Sequence, residues 1–390
     1  MRYNFDNPVS RQGTSSVKYD RREEVFGKED IIPMWVADMD FCPPPSVTEA
    51  IRNRAGHEIL GYSVRRQEYY DSIIRWHRQR YNWDINPGSI LFSPGVVPAL
   101  NIATLAFTKP GDSIIVQPPV YFPFFTAVTD HGRRLATNRL MFSDGRYRFN
   151  NERLREECRN GAKMLFLSNP HNPVGRVWTR DELLGIAEIC IEYGVIIISD
   201  EIHCDLVLTG HRHTPVATLS EEIAGSTITC VAPSKTFNLA GMATSSIIID
   251  NSGLRTRFAS LIDSLHITNG NIFGTEASIA AYSEGEEWLE QLIQYLEGNI
   301  DYVTGFCSEN LPVIKPVRPE ATYLLWLDCR EMGMTGSELN NFFVNRAGLG
   351  LNEGSTFGEG GEGFMRMNLA TPLSTVKKAM NQLLAAFRDT

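Results

Sequence analysis

The sequence of 390 residues predicts an α/β fold, in which a largely parallel sheet is covered on both faces by helices and is followed by a smaller α+β lobe. Three observations carry that expectation. Between residues 90 and 250, short apolar and β-branched runs alternate with helical stretches, the order of successive βαβ units. Gly95, Tyr121, Asn172, Asp200 and Lys235 each follow one of those runs, at the strand ends where an open parallel sheet gathers its functional loops. Beyond residue 285 the pattern changes to helical runs around Thr322-Tyr323-Leu324-Leu325-Trp326-Leu327-Asp328, a strand of a second lobe.

The elements follow in order. Residues 1–45 show no sustained periodicity and read as an arm, containing Pro33-Met34-Trp35-Val36-Ala37-Asp38-Met39-Asp40-Phe41. Asp38 and Asp40 lack a third oxygen ligand nearby, so turn and capping roles are expected rather than a hard-metal pair. Val47, Ala50, Ile51 and Ala55 have helical spacing, and a second helix is expected over 67–81. Ile90-Leu91-Phe92 is a strand, and the glycine turn and proline of Gly95-Val96-Val97-Pro98 suit either a phosphate cradle or a plain strand-to-helix turn. Strand 112–116 leads into a proline-stiffened loop, where Tyr121 can lie over a flat ligand or pack in the core. Strand 164–168 precedes a helix opened by the capping box Thr179 and Glu182 and closed by Gly194, with Leu183, Ile186, Ala187 and Cys190 on its sheet-facing side. Strands 195–199, 227–231 and about 244–250 complete the series, a helical run covers 288–296, and an amphipathic helix carrying Val376, Ala379, Met380, Leu383, Leu384 and Phe387 closes the chain.

Composition narrows the function classes. Hydrophobic content of 43% fits an ordinary globular protein, and the length suits two or three lobes. A net charge of -9 leaves no basic surface for neutralising phosphates, so no nucleic-acid partner is expected. The pairs Arg21-Arg22, Arg65-Arg66 and Arg133-Arg134 read as solvated faces or local salt bridges. No run approaches the roughly eighteen apolar residues of a membrane span, and Met1-Arg2-Tyr3-Asn4 lacks a secretory pattern, so a cytoplasmic protein without a membrane partner is expected. Seven cysteines without a C-x-x-C pair are expected to be reduced thiols, and no metal site is expected.

Chemistry concentrates at three residues. Lys235 lies just past a buried strand, where desolvation lowers an amine's pKa and frees it to attack an aldehyde; a solvated surface lysine is the ordinary alternative. Asp200 ends the β-branched run 194–199, and a carboxylate buried there needs a cationic partner such as a pyridinium nitrogen. Pyridoxal 5′-phosphate requires both groups, an amine for its aldehyde and a carboxylate for its ring nitrogen. In Gly363-Phe364-Met365-Arg366-Met367-Asn368-Leu369, strict alternation places Arg366 and Asn368 on one face, and Arg366 suits either a carboxylate clamp or an exposed edge.

Together these stretches resemble pyridoxal-phosphate enzymes of the aspartate aminotransferase fold type, the PLP-dependent transferase fold type I, over nearly the whole chain. More narrowly, Trp35-Val36-Ala37-Asp38-Met39-Asp40-Phe41, Asp200-Glu201-Ile202-His203, Ser234-Lys235-Thr236-Phe237-Asn238 and Ala281-Tyr282-x-x-Gly285-x-x-Trp288 resemble the MalY/PatB group of carbon–sulfur lyases, the cystathionine β-lyases. The resemblance implies a mostly parallel seven-stranded sheet in a large domain, residues 46–285, with an N-terminal arm, 1–45, joining a small domain, 286–390. It implies that Lys235 holds the cofactor covalently, that Asp200 pairs with its ring nitrogen, and that Asn172 and His203 lie on its hydroxyl side. Tyr121 would stack on the ring and serve in proton transfer, with Ile202 beneath. Val96, Val97 and Ser234 would hold the phosphate, helped by Tyr62 of the neighbouring subunit in a homodimer with its site at the interface. Arg366 would grip the carboxylate of a sulfur-containing amino acid beside the Val36-Ala37 backbone and Asn172. One position departs from many aminotransferases: Ala243 stands where they carry a phosphate-binding arginine. The implied reaction is α,β-elimination to a thiol, pyruvate and ammonia. Transamination shares the same residues, and a regulator that binds a protein partner is a third reading.

Overall fold

A computed structural model of the chain describes residues 3–388. Its strands, in chain order, begin with β1 (Ile32–Pro33), β2 (Ile90–Ser93), β3 (Ser113–Val116), β4 (Arg134–Thr137), β5 (Met141–Ser143), β6 (Arg146–Arg148) and β7 (Met164–Ser168). There follow β8 (Ile196–Asp200), β9 (Thr227–Val231), β10 (Ser245–Ile248), β11 (Lys315–Val317), β12 (Leu324–Asp328), β13 (Leu349–Gly350), β14 (Asn352–Glu353) and β15 (Phe364–Asn368). A seven-stranded sheet runs β2-β10-β9-β8-β7-β3-β4. Every neighbouring pair in it is parallel except the two made by β10. Burial on both faces explains why these strands read as continuous apolar runs. Ile114, Val116, Met164, Phe166 and Ile198 pack into the core on one face, while Ile115, Leu165, Leu167 and Ile197 pack into the core on the other. Each such side chain contributes roughly 1.5–3 kcal/mol by leaving water.

Local signals set the helix ends. The helix Arg180–Glu192 carries the expected capping box at Thr179 and Glu182, and Gly194 follows it in the left-handed region. The helix Gln67–Tyr81 has the predicted bounds. The run expected over 288–296 is the middle of a longer helix, Glu286–Asn310, whose buried face from Trp288 to Cys307 spans two cores. Gly298 and Gly305 lie inside it without ending it, because packing against both cores carries the helix through, so local periodicity understated its length.

A second, antiparallel sheet runs β11-β12-β15-β14. Alternation along β15 sends Met365, Met367 and Leu369 into the core beneath it. The strand is buried along its length and flanked on both sides, so the exposed-edge alternative for Arg366 is ruled out. At Gly175 the two sheets' loops meet: its carbonyl accepts from the Glu320 and Ala321 amides, and a Cβ at its φ of 70° would lie 2.6 Å from Pro319.

The first 45 residues are not featureless. They include short helices at Val17–Asp20 and Arg22–Phe26, and β1 pairs in parallel with β13. Asp38 and Asp40 correct the turn-or-cap expectation. Arg11 donates to Asp38 Oδ1 at 2.8 Å and to Asp40 Oδ1 at 2.9 Å, and the fully buried Lys18 donates to Asp40 Oδ2 at 2.9 Å. Partners twenty and more residues away made this cluster invisible to local pattern. Arg133 is a second correction, because it is buried and its guanidinium donates to the Thr108 carbonyl at 2.7 Å. The cysteines are all free thiols, and only Cys42 is exposed.

The ion cluster gives a pH-dependent expectation. Burial alone would raise the Asp40 pKa, but Lys18 and Arg11 outweigh it and hold the pKa below the usual value. Asp40 therefore stabilises the fold above the unfolded carboxyl pKa of about 3.9, and the contribution is lost as pH falls through the lower folded value. Lys18→Met should cost about 3 kcal/mol in equilibrium denaturation at pH 7, a gap that narrows below about pH 4. A gap that does not change with pH would contradict this account.

Candidate active site

Three adjacent strands of the large sheet deliver the polar groups. Asp200 is the last residue of β8, opposite Ser168 of β7 and Cys230 of β9, and it is 6% exposed. Among the described residues, its carboxylate has one hydrogen bond, from the Ile202 amide at 3.1 Å. Burial pushes its pKa up to about 7, against the smaller opposing effects of that amide and of Lys235.

Lys235 sits in the helical turn Pro233–Thr236 after β9, opened by a proline whose carbonyl accepts from the Phe237 amide. Its Nζ donates to the Ala37 carbonyl at 2.6 Å. Burial, and then repulsion from Arg366, lower its pKa to about 8, partly offset by Asp38 and Asp200. Asn238, at a φ of 58°, fastens the arm to this turn: its Nδ2 donates to the Met39 and Phe41 carbonyls, and its Oδ1 accepts from the Met39 amide.

Both groups line one cavity of about 180 Å³ together with Ala37, Val96, Val97, Tyr121, Asn172, Ile202, His203 and Ser234. Val96 and Val97 open the helix Val96–Phe107, and Gly95 before them provides no side-chain cap. The first amides of that helix are therefore free to hold an anion at its positive end. Ala243, in the left-handed region at a φ of 45°, lies on the same wall with Thr244 and Ser245. Lys235 is the one cation among the described residues lining the cavity.

The remaining expected residues lie off the wall. Arg366 is 2% exposed and stands behind Asn172, donating to Asn172 Oδ1 at 3.0 Å, the Trp35 carbonyl at 2.8 Å and Asn352 Oδ1 at 2.7 Å. Its Nε is buried without a partner among the described residues, and burial lowers its pKa to about 10. Val36 contributes its carbonyl, which accepts from Asn368 Nδ2. Tyr62 is fully exposed and flanks a different concavity with Asn269 and Phe273.

Sequence reasoning missed two supports. Tyr323 OH donates to the same Ala37 carbonyl at 2.9 Å, but in its apolar run it looked like core. Asn368 holds the Val36 and Asp38 carbonyls; its signal was its place two residues beyond Arg366 on the same face.

The donor set suits pyridoxal phosphate. An amine with a lowered pKa, a carboxylate with a free oxygen and an uncapped helix start face a single cavity. His203 adds a buried Nδ1 that has no partner among the described residues, and burial keeps its ring neutral.

Comparison with known proteins agrees with this chemistry. The family described as Aminotransferase class I and II matches residues 29–383. Cystathionine beta-lyase PatB of Bacillus subtilis (strain 168) is 45% identical over 384 residues, covering 98% of this chain and 99% of that protein. A crystal structure of cystalysin from Treponema denticola, containing a pyridoxal 5′-phosphate cofactor, superposes with a TM-score of 0.97 at 37% identity, covering all of both chains. A PLP-bound C-S lyase from Staphylococcus hominis gives a TM-score of 0.92 at 32% identity, covering 99% of this chain and 98% of that one.

The raised Asp200 pKa predicts the behaviour of the ligand-free protein. A carboxyl whose folded pKa exceeds its unfolded value gives full stability below the unfolded value and loses it as pH rises through about 7. Asp200→Asn removes that loss, so at pH 8 the ligand-free variant should exceed the parent by roughly 3–5 kcal/mol in urea denaturation, with the difference vanishing near pH 3.5. Equal stability at pH 8 would show that Asp200 is solvated.

Proposed function

This chain belongs to the aminotransferase class I and II family, and we propose that it is a pyridoxal 5′-phosphate-dependent carbon–sulfur β-lyase acting on cystathionine or a related S-substituted cysteine. With one water, each turnover yields a thiol, pyruvate and ammonia. The observation that carries the reading is the pairing, in one cavity, of the desolvated Lys235 amine with the buried Asp200 carboxylate. The names of the full-length relatives support elimination over transfer.

When bound, pyridoxal phosphate supplies an aldehyde that joins to amines and a ring that draws negative charge away from the carbon bearing the amine. The protein's residues do the rest. Asp200 would hold a proton on the ring nitrogen, because a full positive charge there would relieve the carboxylate's burial. The Val96 and Val97 amides and the Ser234 side chain would hold the phosphate, without an arginine at the position of Ala243. Tyr121 and Ile202, both on the cavity wall, would cover the two faces of the ring, and Asn172 and His203 would flank its hydroxyl.

Substrate binding falls to Arg366. Its planar fork takes the α-carboxylate in exchange for a neutral contact to Trp35, Asn172 or Asn352, which gives the charge burial has left uncompensated a full counter-charge. Lys235 Nζ, freed from the Ala37 carbonyl, removes the α-proton. A thiol with a pKa of about 8.5 leaves with little assistance, and the proton it needs comes from Lys235 Nζ or from Tyr121, whose phenol burial keeps protonated.

The wider arrangement extends the same reading. The arm, 1–45, serves a small domain, 286–390, against a large cofactor domain, 46–285. A cytoplasmic homodimer would bring the partner's exposed loop, with its own tyrosine at position 62, to this chain's phosphate site. Exposed Ile59, Leu60 and Val64 beside Tyr62 fit a covered surface.

Purified protein loaded with pyridoxal phosphate should release pyruvate and thiol in equal amounts from cystathionine without any added keto acid. Lys235→Ala should lower kcat/KM about 10²–10⁴-fold. Products that form only when a keto acid is supplied would replace the lyase reading with an aminotransferase.

A further inference from the structure

The turn after β8 holds a buried carboxylate for which the chemistry above has no use. Asp205 is 2% exposed and sits in the turn that follows Asp200 and His203. Its two oxygens face different elements. Oδ1 accepts from Trp76 Nε1 at 2.9 Å and from the Tyr81 hydroxyl, both on the helix Gln67–Tyr81, with Arg80 Nε at 3.6 Å. Oδ2 accepts from Thr236 Oγ1 at 2.8 Å, and Thr236 is the residue after Lys235.

The anchored carboxylate is held on one side by a fixed scaffold. Trp76 packs among Phe237 and Tyr282, and Arg80 lies over the Trp76 ring at 5.0 Å. On the other side it reaches a four-residue helical turn, too short to hold its own geometry through internal hydrogen bonds. Four side-chain torsions separate the Lys235 backbone from its Nζ, so a small rotation of this turn displaces the amine by a large fraction of a bond length.

We propose that Asp205, through Thr236, is a positioning residue that holds the Lys235 turn in register with the loop carrying Asp200 and His203. The inference rests on Lys235 and Asp200 serving one cofactor as set out above. The Asp205–Thr236 hydrogen bond joins the chain just after the acid to the chain just after the amine, a direct cross-brace between the loops leaving β8 and β9. It acts through the lysine and touches neither substrate nor cofactor.

The test uses the full chain and two substitutions at Thr236. Thr236→Val keeps the shape and removes the donor; Thr236→Ser keeps the donor. Thr236→Val should lower kcat roughly tenfold with little change in KM and weaken pyridoxal phosphate binding to the apo protein by a similar factor, while Thr236→Ser stays within about twofold of the parent in both. The visible circular dichroism of the bound cofactor should diminish in the valine variant and return in the serine variant. Parental values of all three in Thr236→Val, or a serine variant no better than valine, would overturn the proposal. Lys235→Ala separates the two readings: if it retains the parental cofactor absorbance, the anchor itself is misassigned, whereas loss of that band together with an unaffected Thr236→Val removes only the cross-brace.

Discussion

Asp200 and Lys235 carry opposite charges into one buried cavity and do not neutralise each other. No ion pair joins them among the described residues; the amine bonds to the Ala37 carbonyl and the acid to the Ile202 amide. Each is held by a neutral backbone group, which leaves its charge poorly compensated and its pKa displaced toward neutrality. The arm, the turn after β9 and the loop after β8 all serve to keep the two groups near each other yet apart.

That separation is imposed by the sheet. β8 and β9 are parallel neighbours in the middle of the sheet, so their C-terminal ends release the two loops side by side at the same end of it. The apolar layers on both faces exclude water from the strand ends. Hydrophobic burial thus sets the electrostatics: the same packing that stabilises the sheet desolvates Asp200. Arg366 repeats the pattern from the second sheet, with three neutral acceptors around a guanidinium and no carboxylate among them.

Much of this was legible in the chain because it is local. The β-branched run ending at Asp200, the apolar run before Lys235, the capping box at Thr179 and the alternation around Arg366 all act within a few residues. What escaped was set by distance along the chain. The Lys18–Asp40 contact, the Arg133 cap and the Tyr323–Ala37 bond join residues that carry no mark of each other in sequence. The length of the helix Glu286–Asn310 belongs with these, since it is fixed by the two cores it crosses rather than by stop signals. Cavity membership followed the same division: the loops at strand ends line the cavity, while Val36 and Arg366 stand one layer back.

The cavity draws on both halves of the polypeptide. Ala37, which receives the amine, and Arg366, held by the Trp35 carbonyl, lie more than three hundred residues apart and are brought together by the arm. Closing loops of that length is slow relative to forming the β8–β9 core. A polypeptide still emerging from the ribosome therefore has Lys235 and Asp200 long before it has the strand carrying Arg366. The nucleophile is made early and the means of gripping an amino acid comes last, so the nascent chain lacks its grip on an amino acid until the final strand has docked.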